Sequence, residues 1–248
     1  MDEQNAWRER YRQRRPEWRP ATEVYAALVR GELRPEYQPQ HQPERQPSTL
    51  LLDLGCGRGG LVEQLDHPLC QMVGVDPDWL SLHEHRLHLP RVVAQSERLP
   101  FRQDCFDLVF ASWVLEHLED PAAVFTAVSR ILKPGGAFVF ITPNGRHPLT
   151  AFNRALGRVG RWQGRLVEWL YGRAADDTFP TFYRANTSAQ IGELCQKSGL
   201  ILEALLLIPD PTYLAFNPAT FRLMCLLEER LPPSRKLHLV GLARLSGR

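Results

Sequence analysis

Residues 51–60, which read LLDLGCGRGG, constrain the fold of this 248-residue chain more than any other stretch. An apolar run ends at Asp53 and passes directly into a turn dense in glycine. A side chain in such a turn would stop the backbone from turning sharply and approaching a ligand closely. The pattern therefore predicts a buried parallel strand, a ligand-binding turn and a helix. The glycines that the turn requires are Gly55, Gly57 and Gly59.

The glycines and a later acid together predict a nucleotide-type site but leave its cofactor open. Gly55, Gly57 and Gly60 satisfy the dinucleotide fingerprint G-x-G-x-x-G. Asp76 ends the next predicted strand, 19 positions after Gly57, where α/β nucleotide-binding folds present a carboxylate to ribose hydroxyls. A nicotinamide dinucleotide and S-adenosylmethionine both carry such a ribose, so these residues alone do not choose between them.

From residue 49 onward, short apolar runs alternate with helical stretches, which indicates βα units around a parallel sheet. The predicted strands are 49–54, 71–75, 91–94, 106–111, 137–141, 200–208 and 237–245. The predicted helices are 60–65, one containing Trp79, Leu82 and Leu87, 122–132, one from the cap Asn186-Thr187 to about Lys197, and 220–231. Residues 133–136, Lys-Pro-Gly-Gly, are predicted to terminate the helix before them.

The chain divides into an arm, a linker and one domain. Residues 1–34 are predicted as a helical arm of two short helices separated by Pro16 and Pro20. Residues 35–48 form a Pro/Gln-rich linker, and residues 49–248 form the domain, with insertions at 144–185 and 209–236. The arginine-rich arm is interpreted as a lid whose Trp7 or Tyr11 closes over the site. A solvated helix face and a surface for an anionic partner are its alternatives.

Composition excludes several classes of protein. The net charge of +2 is too small to indicate general nucleic-acid binding, so a nucleic-acid partner is not expected. The five cysteines are widely spaced without any C-x-x-C pair, which argues against a zinc site and a disulfide framework and favours a reducing cytoplasm. No apolar run is long enough to span a bilayer, and the charged start does not resemble a signal peptide.

Four motifs occur in order: LLDLGCGRGG, VGVDPD, SERLPFRQDCFDLVFASWVLEHLEDP and ILKPGGAFVFITPN. With them the sequence resembles the class I S-adenosylmethionine-dependent methyltransferases, in the branch that includes ubiquinone and menaquinone biosynthesis enzymes. The resemblance implies an α/β, Rossmann-like fold with a seven-stranded, mostly parallel sheet. It also implies an antiparallel last strand inserted between its neighbours, here with an N-terminal helical arm and a helical insertion after strand five. The implied cofactor is S-adenosyl-L-methionine.

The resemblance also implies which residues contact the cofactor. Asp53, Gly55, Cys56 and Gly57, with Gly59 in the same turn, would surround the methionine moiety. Asp76 would bind the ribose. Residues assigned to the adenine and to the floor beyond strand four are Pro77, Ser96, Glu97, Ala111, Ser112 and Trp113. Gln95 stands where this branch often has an acid, and its amide oxygen accepts a hydrogen bond less strongly than a carboxylate.

The implied reaction is an in-line methyl transfer, which needs a nucleophile aligned opposite sulfur and a base only if the acceptor must lose a proton. His117 follows strand four at the carboxyl-end crevice and is the leading candidate base, with a structural hydrogen-bonding role as its alternative. Tyr183 is a second catalytic candidate, ahead of Glu116 and His147. The predicted acceptor is a small or lipid-like molecule, whose anionic group Arg184 would anchor.

Three other functions stay open at this point. An RNA or protein methyltransferase would suit the arginine-rich arm, and a non-catalytic cofactor-binding relative would act as a partner subunit. An NAD oxidoreductase is supported only by the glycines and Asp76. The basic amphipathic stretch 152–170 is interpreted as a cap on its own domain, with peripheral contact to a membrane surface as its alternative.

Overall fold

The computed structural model describes residues 3–33, 49–68, 71–157 and 180–247, in which seven strands form one sheet. The strands are β1 (Leu51–Leu54), β2 (Met72–Asp76), β3 (Arg91–Val93), β4 (Phe106–Ser112), β5 (Leu132–Pro143), β6 (Leu200–Ile208) and β7 (His238–Leu245). Each predicted strand is present, and only the fifth is misplaced by more than two residues at an end. The predicted linker and residues 158–179 of the first insertion lie outside the described residues.

The sheet has the order β3-β2-β1-β4-β5-β7-β6. The first five of these strands are parallel neighbours, whereas β7 runs antiparallel to both β5 and β6. This confirms the predicted Rossmann-like α/β fold with its inserted antiparallel last strand. Because β7 is reversed, its first residue, His238, lies at the edge where the parallel strands end, opposite Pro143 and Ile208.

Seven α-helices lie in the described residues and flank the sheet: α1 (Glu3–Arg14), α2 (Ala21–Glu32), α3 (Trp79–His83), α4 (Pro121–Ile131), α5 (Pro148–Gly157), α6 (Ser188–Ser198) and α7 (Pro218–Arg230). The predicted caps are confirmed. The Asp120 carboxylate accepts the N–H of Ala123 before α4, and the Thr187 hydroxyl accepts the N–H of Gln190 before α6. Gly199 ends α6 in the left-handed conformation, with φ 76°. None of the described helices is long and apolar enough to cross a membrane.

Two predicted helices are shorter than expected. The segment after the glycine turn is a 3₁₀ turn, Leu61–Gln64, because Glu63 and Leu65 bond to carbonyls three residues back. The helix beginning at Trp79 ends at His83 and does not reach Leu87. The N–H of Leu87 donates instead to Nδ1 of His85 at 3.1 Å, which replaces the helical bond.

The prediction that residues 133–136 terminate a helix holds only in part. Helix α4 ends at Ile131, but β5 already begins at Leu132 and contains these four residues. They lie where the pairing of β4 with β5 shifts register, between Phe106 opposite Leu132 and Leu108 opposite Ala137. The Lys-Pro-Gly-Gly stretch is therefore a bulge within the strand.

The arm packs on the domain through both of its helices, which Pro16 and Pro20 separate as predicted. In α1, Trp7 stacks on Phe221 of α7 with ring centroids 5.1 Å apart, and Tyr11 meets the same ring edge-on. In α2, buried Tyr25 and Val29 join an apolar cluster with residues of β1, β4, β5 and β7. The structure thus places Trp7 and Tyr11 against the second insertion.

Arg244 of β7 ties α2 to the sheet. Its Nη1 and Nη2 donate to the Glu32 carboxylate at 3.0 and 2.9 Å. Its Nε and Nη2 donate to Glu203 at 2.7 and 3.1 Å. These charge-assisted bonds raise the pKa of Arg244 further above its usual range. Bidentate pairs of this kind fix geometry more firmly than single surface ion pairs.

Replacing Arg244→Met should lower the free energy of unfolding by about 1–2 kcal/mol, because two partly screened carboxylate contacts are lost while the apolar stem is kept. Urea denaturation monitored by circular dichroism measures this. Lys197→Met removes the exposed pair of Lys197 with Glu193 and is the matched control, expected to cost less than about 0.5 kcal/mol. Equal effects of the two substitutions would mean that α2 is held by apolar packing alone.

Candidate functional site

The glycine turn after β1 is bound to the end of β2. The N–H groups of Gly55 and Cys56 both donate to the carbonyl of Val75, at 2.8 and 3.0 Å. Gly55 has a φ of 72°, and a Cβ there would collide with Cγ2 of Val114. At Gly57, with φ 48°, an added Cβ would have no described atom within 4 Å. Gly55 is therefore required by close packing, while Gly57 presents open backbone to a ligand.

Asp76 closes this turn from the neighbouring strand. Its Oδ2 accepts the N–H of Gly57 at 2.9 Å, and its Oδ1 accepts the N–H of Asp78 at 2.9 Å. Burial raises the pKa of the carboxyl, and these two bonds oppose that rise. The predicted partnership between the glycine turn and this acid is thus a direct hydrogen bond.

A cavity of about 380 Å³ opens beside the turn, between the end of β1 and the start of α2. Predicted cofactor residues contribute much of its wall. The residues that line it are Thr22, Glu23, Tyr25, Asp53, Gly55, Cys56, Gly59, Gly60, Leu61, Gln64, Ser112 and Trp113. Ala111 does not line the cavity, because its side chain is fully buried in the core.

Asp53 and Tyr25 give this cavity an unusual electrostatic character. Burial, with a contribution from Asp76, raises the pKa of Asp53 to about 7. Burial and the neighbouring Asp53 raise the pKa of Tyr25 as well. The Tyr25 hydroxyl is buried without a hydrogen-bond partner among the described residues, although buried hydroxyls are normally paired. The cavity thus contains Asp53, a carboxyl group with a raised pKa, and Tyr25, a hydroxyl without a hydrogen-bond partner among the described residues.

Sequence reasoning did not find Tyr25, Thr22 or Glu23 as site residues. They belong to α2, which carries no motif, and Tyr25 reads as one more apolar position of an amphipathic helix. The only available signal was the phenolic hydroxyl on an otherwise buried face, since such a group needs a partner.

The residues predicted to contact adenine lie beyond Asp76. The N–H of Ala94 donates to the Asp76 carbonyl at 3.2 Å, which places the segment after β3 at this end of the sheet. In that segment Ser96 is buried, Glu97 is half-buried and Gln95 is exposed. Pro77 is also exposed. The structure brings these residues to the same sheet edge, but they do not line the 380 Å³ cavity.

Trp113 links the cavity to a second group of polar residues. It has a φ of 59°, uncommon for a bulky side chain, and its N–H donates to Ile141 at 3.0 Å. Its ring packs edge-on against His238 with centroids 5.1 Å apart, and Tyr213 packs on His238 at 5.9 Å. Aromatic side chains therefore continue from the cavity floor along the carboxyl edge of the sheet.

Glu116 and Tyr183 lie together near the end of β5. Burial raises the pKa of Glu116 to about 7, while its Oε2 accepts the Thr142 hydroxyl at 2.9 Å. The Glu116 carbonyl accepts the N–H groups of Phe182 and Tyr183, which has a φ of 53°. Burial, and then Glu116, raises the pKa of the Tyr183 phenol. The Tyr183 phenol is therefore protonated at neutral pH.

His117 and Arg184 are both engaged with backbone carbonyls. Nδ1 of His117 lies 2.9 Å from the carbonyl of Pro180, to which it donates. The Arg184 guanidinium donates to the Glu119 carbonyl and lies 5.4 Å from the Phe182 ring centre. Within the described ranges, no group of three or more His, Cys, Asp or Glu residues could hold a metal ion.

Sequence comparisons match this chain to methyltransferases. The methyltransferase domain family matches residues 52–140. A ubiquinone biosynthesis O-methyltransferase of Nitrosococcus oceani is 30% identical over 180 residues, which cover 69% of this chain and 69% of that protein. One of Alkalilimnicola ehrlichii is 33% identical over 115 residues, 43% of this chain and 46% of that protein. A malonyl-[acyl-carrier protein] O-methyltransferase of Legionella pneumophila is 33% identical over 100 residues, 37% and 35% respectively.

The chain thus spans between about a third and about two thirds of the length of these relatives. Among solved structures, an S-adenosylmethionine-dependent methyltransferase of Mesorhizobium loti is similar over 80% of this chain and 93% of its own. The TM-score of that match is 0.53, with 25% identity.

The raised pKa of Asp53 predicts a pH-dependent stability. The folded protein keeps a proton that the unfolded chain releases between about pH 4 and pH 7. Wild-type stability should therefore fall relative to Asp53→Asn as the pH rises from 5 to 7, by up to about 1.4 kcal/mol per pH unit. Urea unfolding at a series of pH values measures the difference.

Glu193→Gln is the control for that series. Glu193 is exposed, and its hydrogen bond with Lys197 lowers its pKa, so it is ionised in both states above pH 5. The difference between this variant and the wild type should stay constant from pH 5 to 8. A constant difference for Asp53→Asn as well would show that folded Asp53 is already ionised at pH 5.

Proposed function

The chain belongs to the class I S-adenosylmethionine-dependent methyltransferases, and from this we propose that it methylates an oxygen atom of a neutral, lipid-like small molecule. The main support for binding of S-adenosylmethionine is the position of the Asp76 carboxylate at the open glycine turn. Each of its oxygens accepts one backbone N–H, which leaves lone pairs for the two ribose hydroxyls.

The neighbouring cavity suits the methionine end of the cofactor. Asp53 provides a carboxyl whose ionised form a bound ammonium or sulfonium would stabilise. Tyr25 provides an unused hydroxyl that can donate to a carboxylate. Trp113 would form the floor, and Gly57 would let the ligand approach the backbone. When bound, S-adenosylmethionine supplies the activated methyl group.

The acceptor is assigned to the carboxyl edge beyond Trp113. Three buried acids, Glu116, Asp210 and Glu228, lie along this edge and would repel an anionic acceptor. Of the curated relatives named above, two are ubiquinone biosynthesis O-methyltransferases and one is a malonyl-[acyl-carrier protein] O-methyltransferase. Buried acids favour a neutral hydroxyl acceptor over a carboxylate. We retain His117 and Tyr183 as candidate catalytic residues beside this acceptor, with Tyr183 as a hydrogen-bond donor.

A cytoplasmic location is part of the same proposal, because Cys56, Cys105, Cys195 and Cys225 are free thiols in the described structure. The helical stretch on which membrane contact was predicted lies largely outside the described residues.

The acceptor proposal is tested with two flat probes that differ in their reacting group. The chain is incubated with methyl-tritiated S-adenosylmethionine and either 4-methylcatechol, a neutral dihydroxybenzene, or 4-methylbenzoate, a carboxylate. We expect transfer to 4-methylcatechol only. Transfer to 4-methylbenzoate alone would overturn the neutral-acceptor assignment. Label in added RNA or protein instead would favour a macromolecular acceptor, and binding of S-adenosylhomocysteine without any transfer would favour a non-catalytic relative.

Tyr25→Phe should separate stability from cofactor binding. Removing a buried hydroxyl that has no protein partner should leave the free energy of unfolding unchanged or raise it by up to about 1 kcal/mol. Affinity for S-adenosylhomocysteine should fall about five- to tenfold, because one charge-assisted hydrogen bond to the ligand is lost. Isothermal titration calorimetry and urea unfolding give the two quantities.

Tyr11→Phe is the matched control, because Tyr11 is equally buried but packs against Trp18 and Phe221 away from the cavity. Its affinity for S-adenosylhomocysteine should equal that of the wild type. Wild-type affinity in Tyr25→Phe would remove Tyr25 from the cofactor site.

A further inference from the structure

We propose that His238 is the base that takes the proton from the acceptor hydroxyl, and that Asp210 positions its imidazole. The inference rests on the proposed function, because it concerns the acceptor of that reaction. His238 is the first residue of β7, and neither its sequence surroundings nor any motif marks it. The proposed base therefore lies on β7, a strand that is separate from the glycine turn after β1.

The strand pairing brings His238 to the reaction edge. It lies opposite Pro143 at the end of β5 and opposite Ile208 at the end of β6. Its ring touches Trp113, which lines the cofactor cavity, with 5.1 Å between ring centres and an interplanar angle of 70°. The proposal therefore places the acceptor hydroxyl, assigned above to the edge beyond Trp113, beside His238.

Asp210 is the carboxylate that faces Nδ1 of His238. Its Oδ1 is fixed by the N–H and the hydroxyl of Thr212, at 3.0 and 2.6 Å. Its Oδ2 lies 4.0 Å from Nδ1 of His238, which has no hydrogen-bond partner among the described residues. The carboxylate lies beyond hydrogen-bond distance of Nδ1 but could only accept from it, so the proposal assigns the hydrogen to Nδ1 and the lone pair to Nε2. This is the orientation that a carboxylate gives a catalytic histidine.

His147, in the same polar cluster, has the opposite tautomer. The N–H of Leu149 donates to its Nδ1 at 3.1 Å, so its hydrogen is on Nε2, 3.4 Å from Oε1 of Glu228. His147 is completely buried and has no lone pair left for an acceptor. The contrast makes His147 a control with equal burial and the wrong tautomer.

Burial and four neighbouring groups set the pKa of His238. The neighbouring groups are Asp210 after β6, Glu228 of α7, His147 before α5 and Arg8 of α1. Burial lowers the pKa of His238 to about 4, against the two carboxylates, while His147 and Arg8 add to the lowering. The imidazole is therefore neutral throughout the physiological range, and the Asp210 carboxylate faces the cation that forms on proton uptake.

The chemical step is then balanced. The acceptor oxygen attacks the methyl carbon, an O–C bond forms and the S–C bond breaks, with its electron pair returning to sulfur. The hydroxyl proton moves to Nε2 of His238, giving an imidazolium beside Asp210. With a low pKa, that imidazolium releases the proton to water when the products leave.

The tautomer is tested without any acceptor. Histidine labelled with ¹³C and ¹⁵N is placed in the full chain bound to S-adenosylhomocysteine, and ring shifts of His238 are assigned by comparison with His238→Asn. We expect the Nδ1–H form for His238 and the Nε2–H form for His147. Asp210→Asn should shift His238 toward Nε2–H, because an amide can donate to Nδ1. An Nε2–H form of wild-type His238 would overturn the proposal.

Rates with 4-methylcatechol give the second readout. His238→Asn should lower kcat about a hundredfold while the KM for S-adenosylmethionine stays within twofold. The remaining rate should rise about tenfold per pH unit from pH 7 to 9, as the phenol, whose pKa is near 10, ionises in solution. The wild-type rate should be flat over that range. His147→Asn should keep kcat within threefold of the wild type.

The outcomes separate the two proposals. A wild type that binds S-adenosylhomocysteine but does not methylate 4-methylcatechol would reject the proposed acceptor, while the tautomer measurement still decides the state of His238. A folded His238→Asn with wild-type kcat would reject His238 as the base. Loss of kcat in His117→Asn alone would assign the base to His117 instead. Thermal unfolding of every variant identifies those that fail through misfolding.

Discussion

The site depends first on two backbone hydrogen bonds, from Gly55 and Cys56 to the carbonyl of Val75. They bind the turn after β1 to the end of β2 and so bring Gly57 to the carboxylate of Asp76. The turn can make this approach only because Gly55 lies against Val114, where a Cβ would collide. One residue without a side chain therefore fixes the spacing between the turn, the ribose acid and the segment that carries Trp113.

The opposite wall of the cavity is held by interactions that are distant in sequence. Helix α2 carries Tyr25, and its last residue, Glu32, is bound by Arg244 from 212 positions away. Apolar packing of Tyr25 and Val29 on the sheet supplies the remaining restraint. The N-terminal arm is therefore part of the folded unit, and its contribution to the cavity requires that the last strand be in place.

This difference explains what the sequence could predict. The glycine turn and the caps at Asp120 and Thr187 are local, because residues a few positions apart determine each of them, and Asp76 follows from its spacing of 19 positions from Gly57. Tyr25 and His238 could not be found in that way. The role of each depends on packing between segments that are distant in sequence. Arg244 holds the helix that carries Tyr25, and the reversal of β7 brings His238 to the carboxyl edge of the sheet. The bulge at residues 133–136 was missed because proline and glycine also mark helix ends, and only the pairing with β4 distinguishes the two.

The burial of so many acids along the carboxyl edge has a consequence for charge during methyl transfer. A sulfonium becomes a neutral thioether, and the positive charge passes to the acceptor and leaves as a proton. Asp53 at one end and Glu116 farther along each have a pKa of about 7, so both can be ionised by a nearby cation and protonated without one. Asp210 and Glu228 lie near His238, where the charge would finish. The acids along this edge therefore favour positive charge at both ends of its path and disfavour a negatively charged acceptor between them.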